Sequence, residues 1–188
     1  MTRYRLLGIS GSLRKEATNR KLLREAARQF GEADYSEADL NLPLFDADLQ
    51  DAEGIPDVVQ KLTDQIAAAD AVIISTPEYN KSISGVLKNA LDWVSRAEGS
   101  PWRDKPVAIM SAADGRAGGD RAQFALRLCM VAFRPLLIPG PEMMLANSQE
   151  AFDEQGRLID ERSTRILAEL MKLLRTEAGR SQTTSELR

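Results

Sequence analysis

Short apolar runs alternate along the chain with stretches in which apolar residues recur every three to four positions. The runs Tyr4–Ser10, Ala71–Thr76 and Pro106–Ala112 are typical of buried strands, and residues 34–40 and 136–138 are weaker strand candidates. Helical spacing fills the segments between them, at residues 22–30, 58–69, 83–94, 120–133 and 166–174. This alternation predicts an α/β fold, in which a five-stranded parallel sheet is covered on both faces by right-handed helical crossovers.

Three segments break the pattern. Residues 41–54 contain Pro43 and are expected to form a loop, and Pro139 and Pro141 interrupt the fifth strand. Residues 176–188 lack an apolar stripe, which predicts a disordered tail. The sequence therefore predicts one domain over residues 1–175, followed by that tail.

Parallel sheets of this kind bind ligands at the carboxyl ends of their strands. The first loop to inspect follows Ile9, and it carries hydroxyls on Ser10, Ser12 and Thr18 and a guanidinium on Arg14. Free backbone amides at the start of the next helix would favour a phosphate there. The competing interpretation is an ordinary capped turn, with Thr18 or Asn19 as the N-cap.

Neither common nucleotide fingerprint is present in this first loop. The chain lacks G-x-x-x-x-G-K-[ST], which argues against a P-loop NTPase. It also lacks G-x-G-x-x-G after the first strand, which argues against a tightly held dinucleotide. The interpretation left is that this hydroxyl-rich loop holds the phosphate of a mononucleotide.

The second and third loops follow Thr76 and Ala112. Tyr79 offers a flat apolar face and Asn80 a paired donor and acceptor, although a plain turn would also explain them. Three glycines, at positions 115, 118 and 119, indicate a backbone that needs positive φ or close approach. Together the three loops predict a pocket with a phosphate end and a flat-ring end.

Composition excludes several classes of function. The formal net charge of -3 gives no basic field for nucleic acid, and the absence of histidine removes imidazole relays and most zinc sites. Cys129 is the single cysteine, and its apolar surroundings favour a buried structural thiol. No apolar run is long enough for a signal peptide or a membrane span, so we expect a cytoplasmic protein without a membrane partner.

Four ordered segments resemble the NADPH-dependent FMN reductase family of flavodoxin-like proteins, which includes quinone and chromate reductases. They are GSLR at residues 11–14 with Asn19, TPEYN at 76–80, GVLKNALDW at 85–93 and GGDRAQ at 118–123. With the strand spacing, the resemblance covers residues 4–174. It implies a flavodoxin-like sheet in the order 2-1-3-4-5, FMN as cofactor and NADPH or NADH as electron-donating substrate.

The resemblance also implies roles for individual residues. Those expected to hold the FMN phosphate are Ser10, Ser12, Leu13, Arg14, Thr18 and Asn19. Those expected along the isoalloxazine ring are Pro77, Glu78, Tyr79, Asn80, Ser111, Ala112 and Gly115. No side chain is expected to act as acid or base, because the flavin N5 accepts the hydride and the protein supplies position and electrostatics.

Two positions depart from the family pattern. Ser84 stands where the family usually has proline, which predicts a looser start to the following helix. Ala112 stands where relatives often carry Ser or Thr, so any contact there is expected from its backbone. The resemblance further implies a homodimer or homotetramer, and the helix from Phe124 to Phe133, apolar almost all round, indicates deep burial or a subunit contact.

The expected activity is electron transfer from NAD(P)H through bound FMN to a small acceptor, such as a quinone, chromate, or an azo or nitro compound. Three alternatives stay open at this point. The protein could supply reduced FMN to a monooxygenase, it could be a flavodoxin-type electron carrier, or it could bind flavin without turnover. Arg116 and Arg96 are candidates for attracting an anionic substrate.

Overall fold

A computed structural model describes residues 3–186 of the chain. Its strands form one sheet, in which every neighbouring pair is parallel and the order is β2-β1-β3-β4-β5, with β6 also paired to β4. The strands are β1 (Tyr4–Ser10), β2 (Ala33–Glu37), β3 (Ala71–Thr76), β4 (Pro106–Ala112), β5 (Leu136–Leu137) and β6 (Met143–Leu145). The predicted order is confirmed.

Helices cover both faces of the sheet, as predicted. They are α1 (Thr18–Phe30), α2 (Ala47–Glu53), α3 (Asp57–Ala68), α4 (Gly85–Val94), α5 (Asp120–Met130) and α6 (Glu161–Glu186). Helices α1 and α6 bury one apolar core, and α3, α4 and α5 bury the other. Because successive side chains of a strand point to opposite faces, the central strands, which are covered on both, are predominantly apolar. No helix in the described part of the chain is long and apolar enough to cross a membrane.

The outer strand next to β4 is divided in two. Strand β5 pairs with Pro106 and Val107 near the start of β4, and β6 pairs with residues 110–112 near its end. Pro139 and Pro141 lie between the two halves, and proline has no N–H to donate to a ladder. The interruption was predicted, but the resumption of the strand as β6 was not.

Three predicted boundaries need correction. Helix α2 lies inside the predicted loop 41–54, where Asp46 caps it by accepting the Asp48 N–H at 2.9 Å. Strand β2 ends at Glu37 and not at residue 40. Helix α5 ends at Met130, and a 3₁₀ turn covers residues 131–133.

The prediction of a disordered tail from Thr176 is wrong for the described residues, because α6 continues through this segment. Ala178 is fully buried in the core beneath α1 and α6. The Arg175 guanidinium donates to the Phe30 carbonyl at 3.0 Å and lies 4.7 Å from the centre of the Tyr4 ring. Ala178 is small and gives only a weak apolar signal in the sequence. The pattern of apolar residues therefore did not reveal that α6 continues past residue 175. Residues 187 and 188 lie outside the described residues.

Candidate functional site

The first two loops at the carboxyl rim of the sheet meet at Gly11. Its N–H donates to the Ser75 carbonyl at 2.8 Å, and its carbonyl accepts the Ser84 hydroxyl at 2.6 Å. A Cβ at Gly11 would lie 3.0 Å from Cδ of Pro77, so any side chain here would press on the neighbouring loop. The rim is therefore built by contacts between loops that are far apart in sequence.

Asn19 ties the same rim together from below. Its side chain is buried, and Oδ1 accepts the Ser75 hydroxyl at 2.8 Å and the Ala112 N–H at 3.0 Å. Its Nδ2 donates to the Ala112 carbonyl at 2.9 Å. The backbone of Ala112, expected to contact the ring, is engaged by Asn19. The structure thus places both residues in the framework beneath the rim.

The start of α1 has no side-chain cap. The N-cap residue is Ala17, and no acidic residue lies in the first turn. Thr18 instead pairs its hydroxyl with that of Ser148 at 3.1 Å. The capped-turn interpretation is therefore wrong, and the amide groups of Thr18 and Asn19 have no partner among residues 3–186. Such an end, with a positive dipole and free amides, can accept an anion.

Hydrogen bonds within loop 10–14 fix its conformation, and Arg14 is exposed at its end. The Ser12 N–H donates to Ser10 Oγ at 3.3 Å, and the Arg14 N–H donates to Ser12 Oγ at 3.3 Å. Leu13 is 45% exposed. Arg14 is exposed, and in the described part of the chain no acidic side chain pairs with its guanidinium. The arginine is free to contact a phosphate beside α1.

The second loop is a tight turn that exposes a ring. Tyr79 and Ser82 exchange two backbone hydrogen bonds of 3.0 Å, and Asn80 and Lys81 have φ of +49° and +66°. Two left-handed residues in succession are typical of a type I′ turn. Tyr79 is 57% exposed. The turn therefore keeps a flat side chain at the rim, as the sequence predicts.

Glu78 lies beside this turn, and only 14% of its side chain is exposed. Its Oε2 accepts the N–H groups of Arg121 at 3.1 Å and Ala122 at 3.3 Å, at the start of α5. A carboxylate at a helix N-terminus complements the helix dipole. The Glu78 carboxylate therefore links the second loop to the start of α5. The resemblance implies that Glu78 also lies along the isoalloxazine ring.

The third loop is shaped by two glycines and by the buried hydroxyl of a serine. Gly118 and Gly119 have φ of +60° and +90°, and a Cβ on Gly118 would lie 2.6 Å from backbone atoms of Met144. The prediction from glycine is confirmed at these two positions, while Gly115 is exposed in open space. The buried Ser111 hydroxyl donates to the Gly118 carbonyl at 2.6 Å, so this hydroxyl supports the loop from inside.

Three side chains at the rim were missed or misread in the sequence. Gln123 is buried and donates to Ser111 Oγ at 2.9 Å and to a carbonyl of β6 at 2.7 Å. Ser84 accepts the Leu87 N–H at 3.2 Å as the N-cap of α4, so the predicted loosening of that helix start is wrong. A serine three residues before an apolar helix position is a capping signal. Ser148 follows β6 and could be found only once that strand was recognised.

The two arginines that were candidates for attracting an anionic substrate, and the single cysteine, have different surroundings. Arg96 donates to Gln50 at 3.0 Å, whereas Arg116 is exposed in the third loop. Cys129 is half-buried and packs against the core. On the same helix Phe124 and Leu128 are 58% and 75% exposed, so deep burial is excluded as the reason for its apolar surface.

Comparison with known proteins decides the family. Residues 4–150 match the NADPH-dependent FMN reductase family. The chain belongs to this family. An NAD(P)H-dependent FMN reductase of Pseudomonas aeruginosa is 42% identical over 172 residues, which cover 90% of this chain and 92% of the relative. A quinone reductase of Escherichia coli is 39% identical over 85% of this chain and 87% of its own length.

Comparison with solved structures relates the fold to flavoenzymes as well. The flavoenzyme NAD(P)H:(acceptor) oxidoreductase of Paracoccus denitrificans superposes with a TM-score of 0.82 at 30% identity, covering 94% of this chain and 98% of the other. The flavodoxin-like fold and the family named on sequence motifs are therefore confirmed. Membership of the NADPH-dependent FMN reductase family implies FMN as cofactor and NAD(P)H as electron donor, as predicted.

The residues at the rim fit FMN. The uncapped end of α1 and the unpaired Arg14 suit the doubly charged phosphate, and no acidic residue in the first turn of α1 opposes it. At the other end, the exposed Tyr79 and the open space at Gly115 leave room for a planar ring. The donor set is thus appropriate for a mononucleotide with a charged end and a flat end.

Proposed function

We propose that this protein is an FMN-dependent NAD(P)H reductase whose acceptor is a small quinone. One observation carries the proposal: the free, uncapped start of α1 lies next to the unpaired Arg14, at the edge of the sheet where three loops meet. An anion held there would be fixed by backbone amides and by one flexible cation. The rest of the ligand would then extend along the rim toward Tyr79.

Each group of residues has a distinct task in this proposal. The Ser12 and Thr18 hydroxyls, the Arg14 guanidinium and the amides of α1 bind the phosphate. Pro77, Tyr79, Asn80 and the backbone at Gly115 line the ring. When bound, FMN would supply the redox chemistry between the hydride donor and a two-electron acceptor, and protons for the acceptor can come from solvent, so no side-chain acid or base is assigned. Asn19, Glu78, Ser111 and Ala112 hold the loops in position through their hydrogen bonds to neighbouring segments.

The choice of a quinone follows from the relatives. The quinone reductases of Escherichia coli and Pseudomonas putida are 39% and 38% identical to this chain. The exposed ring of Tyr79 suits a flat acceptor that replaces the donor nucleotide after it leaves. Chromate, azo and nitro compounds and free flavin are the competing acceptors, and the assay below separates them from quinones.

We also propose a homo-oligomer located in the cytoplasm. Phe124, Leu128 and Val131 are 58%, 75% and 68% exposed on one helix and the turn that follows it. Isolated exposed apolar residues are common, but three at helical spacing form a continuous stripe. In the proposed homodimer or homotetramer, this stripe contacts a second copy of the chain.

The test follows the absorbance of the FMN-loaded protein after mixing with NADPH, and then with benzoquinone. We expect rapid bleaching by NADPH and faster recovery of absorbance with benzoquinone than with chromate, an azo dye, a nitro compound or free FMN. A protein that takes up no FMN contradicts the whole proposal. Bleaching without accelerated recovery contradicts only the quinone assignment.

The matched variants test the phosphate end. Arg14→Gln should raise the Kd for FMN about tenfold or more, because charge-assisted hydrogen bonds contribute roughly 1.5–3 kcal/mol. Arg165→Gln alters an exposed arginine on α6 and should leave the Kd unchanged. Equal affinities of the two variants would show that Arg14 does not contact the phosphate.

A further inference from the structure

A fourth loop reaches the carboxyl rim of the sheet, beside the three loops that the sequence indicates. It follows β6 and comprises residues 146–150, and because β6 is parallel to β4, its carboxyl end lies at the same rim. The Ala113 N–H donates to the Leu145 carbonyl at 3.0 Å, and the Ser148 N–H donates to the Ala113 carbonyl at 3.3 Å. These backbone bonds fix the fourth loop against the start of the third.

The fourth loop places a buried hydroxyl next to the start of α1. Asn147 has a φ of +46°, a left-handed conformation that asparagine tolerates, and the 3₁₀ turn Ser148–Glu150 follows it. Ser148 Oγ lies 3.1 Å from Thr18 Oγ1, although the two residues are 130 positions apart. Ser148 is 2% exposed, whereas Thr18 is only partly buried. A ligand at the start of α1 can therefore reach Thr18 but not Ser148.

The surroundings of the two hydroxyls indicate which of them donates. Each carries one proton, and within residues 3–186 neither hydroxyl has a hydrogen-bond partner besides the other. If Thr18 donated to Ser148, the Ser148 proton would be buried without an acceptor, which is unfavourable. If Ser148 donates to Thr18, the buried proton is satisfied and the Thr18 proton is available at the surface. The favoured direction is therefore from Ser148 to Thr18.

The available Thr18 proton joins other donors that suit an anion. The amide groups of Thr18 and Asn19 have no partner in the described part of the chain. An ionised phosphate offers strong acceptor oxygens, so a hydroxyl that contacts it acts as the donor. Thr18 can then donate to the phosphate while its oxygen accepts the Ser148 proton. Hydrogen bonds arranged in such a chain strengthen one another.

We propose that Ser148 is a positioning residue for the phosphate of FMN and that it acts through the Thr18 hydroxyl. Ser148 donates to Thr18 Oγ1, and Thr18 donates to a phosphate oxygen. The inference rests on the proposed function, because it takes the FMN phosphate as the anion at the start of α1. It adds the loop after β6 to the elements that make the protein prefer a phosphorylated flavin.

The test compares FMN with riboflavin, which has the same ring and side chain without the phosphate. Flavin fluorescence titrations of the flavin-free full chain give both Kd values. Ser148→Ala should raise the Kd for FMN about three- to tenfold, as the loss of one hydrogen bond does, and should leave the Kd for riboflavin unchanged. Thr63→Ala is the matched control, because its hydroxyl is also buried and donates to the Val59 carbonyl on α3 at 3.0 Å. This control should leave the ratio of the two Kd values unchanged.

A double-mutant cycle tests whether the effect passes through Thr18. Thr18→Val removes the hydroxyl pair, so Ser148→Ala added to it should change the ratio no further. The inference is overturned if Ser148→Ala leaves the ratio of wild type, even with both Kd values raised, or if it changes the ratio equally in the Thr18→Val background.

Two further measurements complete the test. Ser148→Cys keeps a side chain of similar shape whose thiol donates only weakly, so it should shift the ratio in the same direction and serves if the alanine variant does not fold. A wild-type protein that binds FMN no more tightly than riboflavin has no phosphate site, which contradicts the proposed function itself. A wild type that prefers FMN, with a Ser148→Ala variant that prefers it equally, overturns only the role of Ser148.

Discussion

At the scale of single residues, Asn19 is the side chain on which most of the rim depends. It makes three buried hydrogen bonds, to Ser75 and to both backbone groups of Ala112. Asn19→Ala should lower the free energy of unfolding by about 2–4 kcal/mol, because buried polar groups lose their partners. Urea denaturation followed by circular dichroism measures the change.

The matched variant Ser75→Ala removes one of those bonds and leaves the two at Ala112 intact. We expect a loss of about 1 kcal/mol for it. If Asn19→Ala costs no more than Ser75→Ala, the amide does not hold the three segments together. The comparison therefore separates a framework role from an ordinary buried polar residue.

Tyr35 predicts a specific pH dependence. Burial, and secondarily the charge of Glu37, raises the pKa of the Tyr35 phenol above its ordinary value. As the pH rises above about 10, the unfolded chain releases this proton before the folded protein does, so the free energy of unfolding falls. Tyr35→Phe should remove that part of the alkaline loss. Urea titrations between neutral pH and pH values above the ordinary phenol pKa measure it, with Tyr79→Phe as the exposed control.

Residue chemistry could be predicted from the sequence better than residue orientation. The types at positions 12, 14 and 79 indicated an anion and a flat ring, and these side chains do reach the rim. Ser111 and Glu78 have equally suitable chemistry, but the structure turns both toward α5. Ser111 bonds to a residue 12 positions away along the chain, and Glu78 bonds to residues 43 and 44 positions away. A local sequence pattern contains no information about contacts at such separations.

At the scale of elements, Ser84 connects the start of α4 to the first loop. Its hydroxyl accepts the Leu87 N–H and donates to the Gly11 carbonyl. Ser84→Ala should cost about 1–2 kcal/mol of stability, as the loss of an N-cap does. It should also raise the Kd for FMN, because the loop that carries Arg14 loses its tether. Ser82→Ala, in the exposed turn, is the control, and equal thermal unfolding of the two variants would contradict the capping role.

The elements themselves followed from periodicity wherever both faces of a strand are buried. Strands β1, β3 and β4 were predicted with the bounds that the structure has, because a strand covered on both faces forms a nearly continuous apolar run. The pattern missed α2, whose side chains are all at least partly exposed, so that no apolar stripe marks it. It also missed β6, which has three residues and follows two prolines.

At the scale of the whole molecule, the apolar stripe on α5 predicts self-association. Leu128→Glu should shift the protein to a smaller species, because a charge buried in an apolar contact is strongly unfavourable. Light scattering after gel filtration measures the mass. Leu44→Glu introduces the same charge at an 82% exposed leucine outside the stripe and should leave the mass unchanged. An identical mass for wild type and Leu128→Glu would contradict a contact through α5.

The position of α6 has a consequence for how the protein is made. This last helix supplies Leu167, Leu170, Met171, Leu174 and Ala178 to the core that also contains residues of β1, β3 and α1. During synthesis, the ribosome releases those earlier elements while the residues that cover them are still untranslated. The part of this core that α6 covers therefore stays exposed until α6 itself has been translated, and it is an apolar surface that a chaperone would recognise.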